Sequence, residues 1–168
     1  PCGHHAGSAL GRKCLLMGEK EKENKMDALK IAFCDDDKTS LNAIAGAVMS
    51  ILQQQEIPAQ AEKYTSPLEL LDCCQRMQLD LVFLDIEMPG LDGIELGQKL
   101  REVTAATEII YVSHREDCVF NALQVHPFGF VRKSHFLKDI EDVMRSYLTM
   151  LDKRRTEKNV VVQTQSGY

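Results

Sequence analysis

The stretch Asp80–Gly93, DLVFLDIEMPGLDG, decides how this chain is read. An apolar run ends in a carboxylate, Asp85. A loop rich in Pro, Gly and Asp follows, and a helix opens after Asp92. A buried unpaired charge is costly, so an aspartate that closes an apolar strand asks for a reason. In open α/β sheets, ligands bind at the C-terminal ends of the strands. A second acidic group, Asp35-Asp36-Asp37, closes another apolar run, Lys30–Cys34. Side by side, these two strand ends would crowd carboxylates that repel one another. A hard divalent cation is the simplest relief.

Outward from that stretch, strand and helix patterns alternate. Lys30–Cys34 is a buried strand pattern, and Leu41, Ile44, Ala45, Val48 and Leu52 follow at helical spacing. Ala59–Tyr64 alternates weakly after Pro58 and suits an outer strand. Ser66-Pro67-Leu68-Glu69 has the form of a capping box with proline at the first helical position. Asp80–Asp85 is the third strand, and Asp92 can cap a helix running to about Val103. Thr107–Ser113 is a strand, Glu116–Gln124 a short helix and Phe128–Arg132 a strand. Leu137, Ile140, Met144, Tyr147, Leu148 and Leu151 mark a long last helix. Five strands alternating with five helices predict an α/β fold with a parallel sheet covered on both faces.

The chain has 168 residues, 44% hydrophobic and 27% charged, enough for one domain with a full core. No apolar run approaches the length needed to span a membrane, and residues 1–25 lack a signal-peptide pattern, so a cytoplasmic location is expected. Residues 1–25 read as a leader or disordered arm, with Met26 a plausible native start. His4-His5 fits such an arm better than a metal site. Residues 26–151 form the expected domain. Between Met26 and Leu151 there are 11 basic and 20 acidic residues, a net of −9, so this body repels a phosphate backbone. Residues 152–168 read as a charged linker, Lys153–Lys158, and then a lone strand, Asn159–Thr164. Such a strand must dock or begin a further domain. The six cysteines form no CxxC pair and no zinc spacing, which leaves Cys34 as a small buried hydrophobe and Cys73-Cys74 as filler.

Four polar features now stand at the C-terminal ends of four predicted strands: Asp35-Asp36, Asp85, Ser113 and Lys133. With the PGLDG after Asp85, the stretch from about Lys30 to Leu151 resembles the receiver (CheY-like) domain of two-component response regulators. The resemblance implies a flavodoxin-like, doubly wound (βα)5 sheet in the order 2-1-3-4-5. It implies that Asp85 is the phosphoacceptor, taking a phosphoryl group from a sensor histidine kinase. Asp36 and Asp85 would hold a Mg²⁺ with the backbone carbonyl of Glu87, and Asp35 would act through a water ligand. Lys133 would meet the phosphoryl oxygens, and Ser113 would donate its hydroxyl to them. Ser113 and Phe130 would be the switch pair, with Phe130 acting by packing because it lacks a tyrosine hydroxyl. A homodimer through the fourth helix, fifth strand and fifth helix would follow. The segment Pro127–Ser134 and the valine-rich tail further resemble regulators of the LytTR class, in which a C-terminal domain contacts DNA. Such a chain is a signalling domain rather than an enzyme acting on external substrates.

Two departures matter. Ser134 stands where many receivers have proline, so a trans bond or a shifted loop is expected after Lys133. His114 follows the switch serine where small residues are common, and it is expected to hinder water and slow loss of the phosphoryl group. Other functions compete. A Mg²⁺-dependent aspartyl phosphatase needs an Asp-x-Asp pair, but Glu87 stands two after Asp85. A flavin carrier needs a phosphate-binding loop after the first strand, where three aspartates would repel the phosphate. A phospho-independent interaction module is the remaining alternative. Taken alone, Asp35-Asp36-Asp37 could be a solvated turn that caps a helix.

Overall fold

The computed structural model describes residues 27–165. The leader, Met26, His4-His5, Cys2 and Cys14 lie outside the described residues. Five strands pair in parallel in the order β2-β1-β3-β4-β5, the order expected from the resemblance. They are β1 (Leu29–Cys34), β2 (Ala59–Tyr64), β3 (Leu81–Asp85), β4 (Glu108–Ser113) and β5 (Gly129–Arg132). Between them run α1 (Lys38–Gln54), α2 (Pro67–Arg76), α3 (Gly93–Val103) and α4 (Val119–Leu123), and α5 (Phe136–Gln165) closes the fold. A 3₁₀ turn, Glu116–Cys118, leads into α4, and another, Lys133–His135, leads into α5.

The inner strands β1, β3 and β4 are buried on both faces because helices cover both. Phe33, Phe83, Ile110 and Val112 face α1 and α5, where they meet Val48, Leu52, Ile140, Met144 and Tyr147. Phe33 and Phe83 stack at 5.1 Å. The alternate residues Ala32, Val82, Leu84, Ile109 and Tyr111 face the layer of α2, α3 and α4. Each fully buried Leu, Ile or Val contributes about 1.5–3 kcal/mol, so two such layers dominate stability. The outer strand β2 is exposed along most of its length, as its weak alternation predicts. Cys34, Cys73, Cys74 and Cys118 carry free thiols, and all but Cys118 are buried.

Two expectations are corrected. Asn159–Thr164 is not a strand: α5 runs unbroken for 30 residues, through the charged segment Lys153–Lys158, to Gln165. No proline or glycine interrupts it, and Lys, Arg and Glu are good helix formers. Arg154 on this extension pairs with Glu108, the first residue of β4, at 2.9 Å. Second, Ser66 makes no capping hydrogen bond, although Pro67 does open α2. Leu137 lies in α5 as expected but is 69% exposed, because the buried stripe of that helix begins at Ile140. Among the described residues no helix is long and apolar enough to cross a membrane.

Candidate functional site

Register builds the site. Cys34 pairs with Leu84, so the next residues, Asp35 and Asp85, leave β1 and β3 side by side. Asp85 in turn pairs with Val112 on β4, and Ser113 pairs with Arg132 on β5, which puts Ser113 and Lys133 at the same edge of the sheet. One carboxylate oxygen each from Asp35, Asp36 and Asp85 lies within 4.8 Å of the others. Asp35 and Asp85 are buried, whereas Asp36 is exposed. Asp37, the third acid of the run, has a different task. Its carboxylate accepts from the backbone N–H groups of Thr39 and Ser40 and caps α1. The bland reading of that run therefore holds for Asp37 alone.

Lys133 comes from the far end of β5 and reaches across the sheet. Its Nζ donates to Asp35 Oδ2 at 2.8 Å and lies 3.2 Å from Asp85 Oδ1. The second contact is an ion pair, and Asp85 Oδ1 is buried without a hydrogen-bond partner among the described residues. Burial pushes the Asp85 carboxyl up to about 6, with Asp35 adding to the rise and Lys133 opposing it. Burial also pulls the Lys133 ammonium down, but its hydrogen bond to Asp35 and the charge on Asp85 outweigh that and hold it above its ordinary value. Neutralisation is thus incomplete: three acids share one ammonium.

The loop from Asp85 to Gly93 is pinned at two buried points, Ile86 and Met88. Met88 Sδ lies 3.6 Å from Cys34 Sγ. The turn Pro89-Gly90 uses φ +86° at Gly90, a conformation that only glycine adopts freely. At Gly93, a Cβ would overlap the carbonyl of Asp85. Gly93 N–H donates to Ile86 O at 2.9 Å, and Asp92 caps α3 through Glu95 N–H. Glycine at 93 thus lets α3 start directly against the end of β3. Glu87 points its side chain to solvent, which leaves only its backbone for the site.

Ser113 is wholly buried, and its Oγ accepts from Arg115 N–H at 3.0 Å. Phe130 is half-buried against the α3 and α4 layer. No cis peptide bond occurs among the described residues, and the chain after Lys133 turns at once into the 3₁₀ segment Lys133–His135. Exposed His114 lines a cleft of about 210 Å³ with Ser40, Ala43, Ile44, Lys133 and Phe136. A larger groove of about 550 Å³ lies between α1 and α5 and holds none of the candidate residues. The sequence pattern did not single out Tyr111, Gly97 or the fork between Arg132 and Asp139. The first two look like ordinary core and helix positions, and the fork is a surface pair until the fold closes it.

The donor set is hard oxygen throughout. One buried carboxylate oxygen lacks a donor and one acid faces solvent, which fits a Mg²⁺ that keeps several waters. What this arrangement can do is bring an anionic group to a buried carboxylate once the local negative charge is offset.

Known proteins are similar to this chain in sequence and in fold. A family model described as the response regulator receiver domain matches residues 31–145, which takes in every candidate residue from Asp35 to Lys133. The positive alginate biosynthesis regulatory protein of Pseudomonas aeruginosa is 25% identical over 117 residues, covering 70% of this chain and 46% of that protein. The transcriptional regulatory protein LytR of Staphylococcus aureus is 25% identical over 139 residues, covering 83% of this chain and 55% of that protein. The chain thus spans about half the length of these relatives. In fold it is similar to a CheY-like receiver domain protein from Methanospirillum hungatei JF-1, with a TM-score of 0.60 at 20% identity over 78% of this chain and 99% of that one. The sheet order, the carboxylate cluster with its lysine and the family match agree: this chain belongs to the response regulator receiver domain family.

Proposed function

We propose that this chain is a phosphorylation switch in which Asp85 is the phosphoacceptor. Receiver domains of the family accept a phosphoryl group, and the observation that supports Asp85 as the acceptor here is its place in the cluster. It is the buried carboxylate at the end of the central strand, within 4.8 Å of two others and 3.2 Å from Lys133. One Asp85 oxygen attacks phosphorus. The new O–P bond forms as the P–N bond to a sensor kinase histidine breaks, and the imidazole keeps the electron pair. When bound, a Mg²⁺ held by Asp36, Asp85 and the Glu87 backbone carbonyl, with Asp35 acting through water, would neutralise the acids and the incoming phosphoryl oxygens.

The chain's own residues then carry the switch. Lys133 passes from carboxylates to phosphoryl oxygens, as a compact point charge can. The Ser113 hydroxyl turns its hydrogen toward the phosphoryl group, and Phe130 repacks. Because Ser113 Oγ accepts from Arg115 N–H, its movement pulls on the turn that leads into α4. The output is self-association through α4, β5 and α5, which drives an attached DNA-binding domain of LytTR type. The likeness to two longer regulators supports that assignment. The domain proper is residues 26–151, and the cytoplasm is its place of work.

The test is intact mass after incubation with acetyl phosphate and Mg²⁺, for wild type and Asp85→Ala. A gain of one phosphoryl group in wild type alone, abolished by chelator, is expected. Followed in time, the same assay should show His114→Ala losing the group faster, since the imidazole stands at the rim of the cleft beside Lys133. No gain in wild type would overturn the proposal and favour a phospho-independent interaction module.

A further inference from the structure

The face of the sheet beneath α3 and α4 holds a buried polar atom that phosphotransfer does not use. Tyr111 on β4 is wholly buried, and its hydroxyl has no hydrogen-bond partner among the described residues. Buried hydroxyls are nearly always satisfied, so an orphan calls for an explanation. Helix α3 admits the ring only because residue 97 is glycine: a Cβ there would overlap the hydroxyl and press on Val125. On β5 the register partner of Tyr111 is Phe130, the proposed switch aromatic.

Arg101 lies one turn beyond Gly97 on the same face of α3. Its guanidinium donates to the carbonyls of Thr107, Val125 and His126 and so staples the loop between α4 and β5. That leaves part of its five-donor fork unused. Its charge already acts on the Tyr111 hydroxyl. The stapled loop is strained, since His126 adopts φ 52°, which side-chain-bearing residues rarely do. Helix α4 is the least anchored of the five: it has five residues, of which only Ala122 is buried.

In the structure, Arg101 holds the loop, His126 is strained and the Tyr111 hydroxyl is unsatisfied among the described residues. We propose that Arg101 and Tyr111 form a hydrogen bond only in the switched state, when the loop at residues 124–129 leaves the guanidinium. The trigger is on the same strand. Ser113 lies two residues beyond Tyr111 and holds Arg115 N–H at the start of the segment leading to α4. Movement of Ser113 toward a phosphorylated Asp85 loosens α4, and the Arg101–Tyr111 bond then stabilises the loosened loop. Tyr111 thereby takes a part that the hydroxyl-free Phe130 cannot play. This inference rests on Asp85 being the phosphoacceptor.

The experiment compares wild type with Tyr111→Phe, each before and after acetyl phosphate and Mg²⁺. Intact mass records phosphoryl uptake, hydrogen-exchange mass spectrometry reads residues 124–129, and thermal melting reads resting stability. Tyr111→Phe should take up one phosphoryl group as wild type does and should melt about 2–4 °C higher at rest, because the orphan is gone. On phosphorylation, exchange in residues 124–129 should rise at least threefold less than in wild type. An equal rise, or a resting variant that melts lower, overturns the inference. If both proteins are phosphorylated and respond alike, this inference alone falls. If wild type takes up no phosphoryl group, the phosphoacceptor proposal falls and takes this one with it.

Discussion

Asp85 and Gly93 show how a single missing side chain shapes a reactive one. In the role proposed for Asp85, its carboxylate must be buried enough to exclude bulk water yet open enough to meet a phosphoryl group. Its backbone carbonyl is the floor on which α3 begins, and only glycine at 93 lets the helix come so close. Gly93→Ala would force strand end and helix apart. Overpacking against backbone costs about 1–3 kcal/mol, so the variant should unfold at lower denaturant in urea titration. Phosphoryl uptake by Asp85 should slow more than stability alone explains, since the displaced atoms belong to Asp85 itself. A variant as stable and as reactive as wild type would show that the contact is relaxed at no cost. At this scale the sequence was unevenly informative. Asp35 and Asp85 stood out because a carboxylate that closes an apolar run is an anomaly whose cost must be met, whereas Ser113 and Lys133 look like an ordinary strand-end serine and a surface lysine until the family resemblance sets them beside the acids. Tyr111 did not stand out, because a tyrosine within a strand pattern looks like core, and only three-dimensional packing leaves its hydroxyl without a partner.

Between elements, the join of β5 to α5 is sensitive to pH. Asp139, in the first turn of α5, accepts from Arg132 at Nε (2.8 Å), Nη2 (2.9 Å) and backbone N–H (3.0 Å). These hydrogen bonds from Arg132 hold the Asp139 carboxyl down at about 2, below the ordinary 3.8. A depressed carboxyl contributes stability above its unfolded value and loses it as pH falls toward its folded one. The contribution is therefore complete above pH 3.8 and gone near pH 2. The full shift would correspond to about 2.4 kcal/mol. The Arg132 side chain is 38% exposed, so water screens part of the attraction and about 1 kcal/mol is expected. Asp139→Asn should lose that amount at pH 7 in chemical denaturation, and the difference from wild type should shrink by pH 3. A pH-independent difference would assign the effect to packing. Sequence pattern placed all ten elements, because apolar periodicity follows burial and burial here is two-sided. It failed where burial ends. Beyond Leu151 no core selects the residue pattern, and the valines at 160–162 suggested a strand where α5 continues with no proline or glycine to break it.

For the whole molecule, the surface across α4 and α5 carries the decisive exposure. Phe120 is 81% exposed and Leu123 54%, three residues apart on one helix, and Leu137 at the head of α5 is 69% exposed. Scattered surface apolar residues need no explanation, but a pair at helical spacing on the most weakly anchored helix forms a patch. A stable interface buries about 800 Å² per partner, more than these side chains offer, so association at rest should be weak. The acidic balance of residues 26–151 adds repulsion between copies. Phosphorylation should tip this balance by moving α4 and bringing Phe120 and Leu123 against a second copy. Light scattering after gel filtration should therefore find the 18.9 kDa chain chiefly monomeric at rest and dimeric after acetyl phosphate and Mg²⁺. Phe120→Glu should stay monomeric while intact mass still records its phosphoryl group. That separation is the point of the variant, because it removes the surface and leaves the pocket untouched. A phosphorylated wild type that remains monomeric would move the output away from self-association. The exposed apolar pair would then have to meet a different partner, presented by the rest of a longer chain or by another protein.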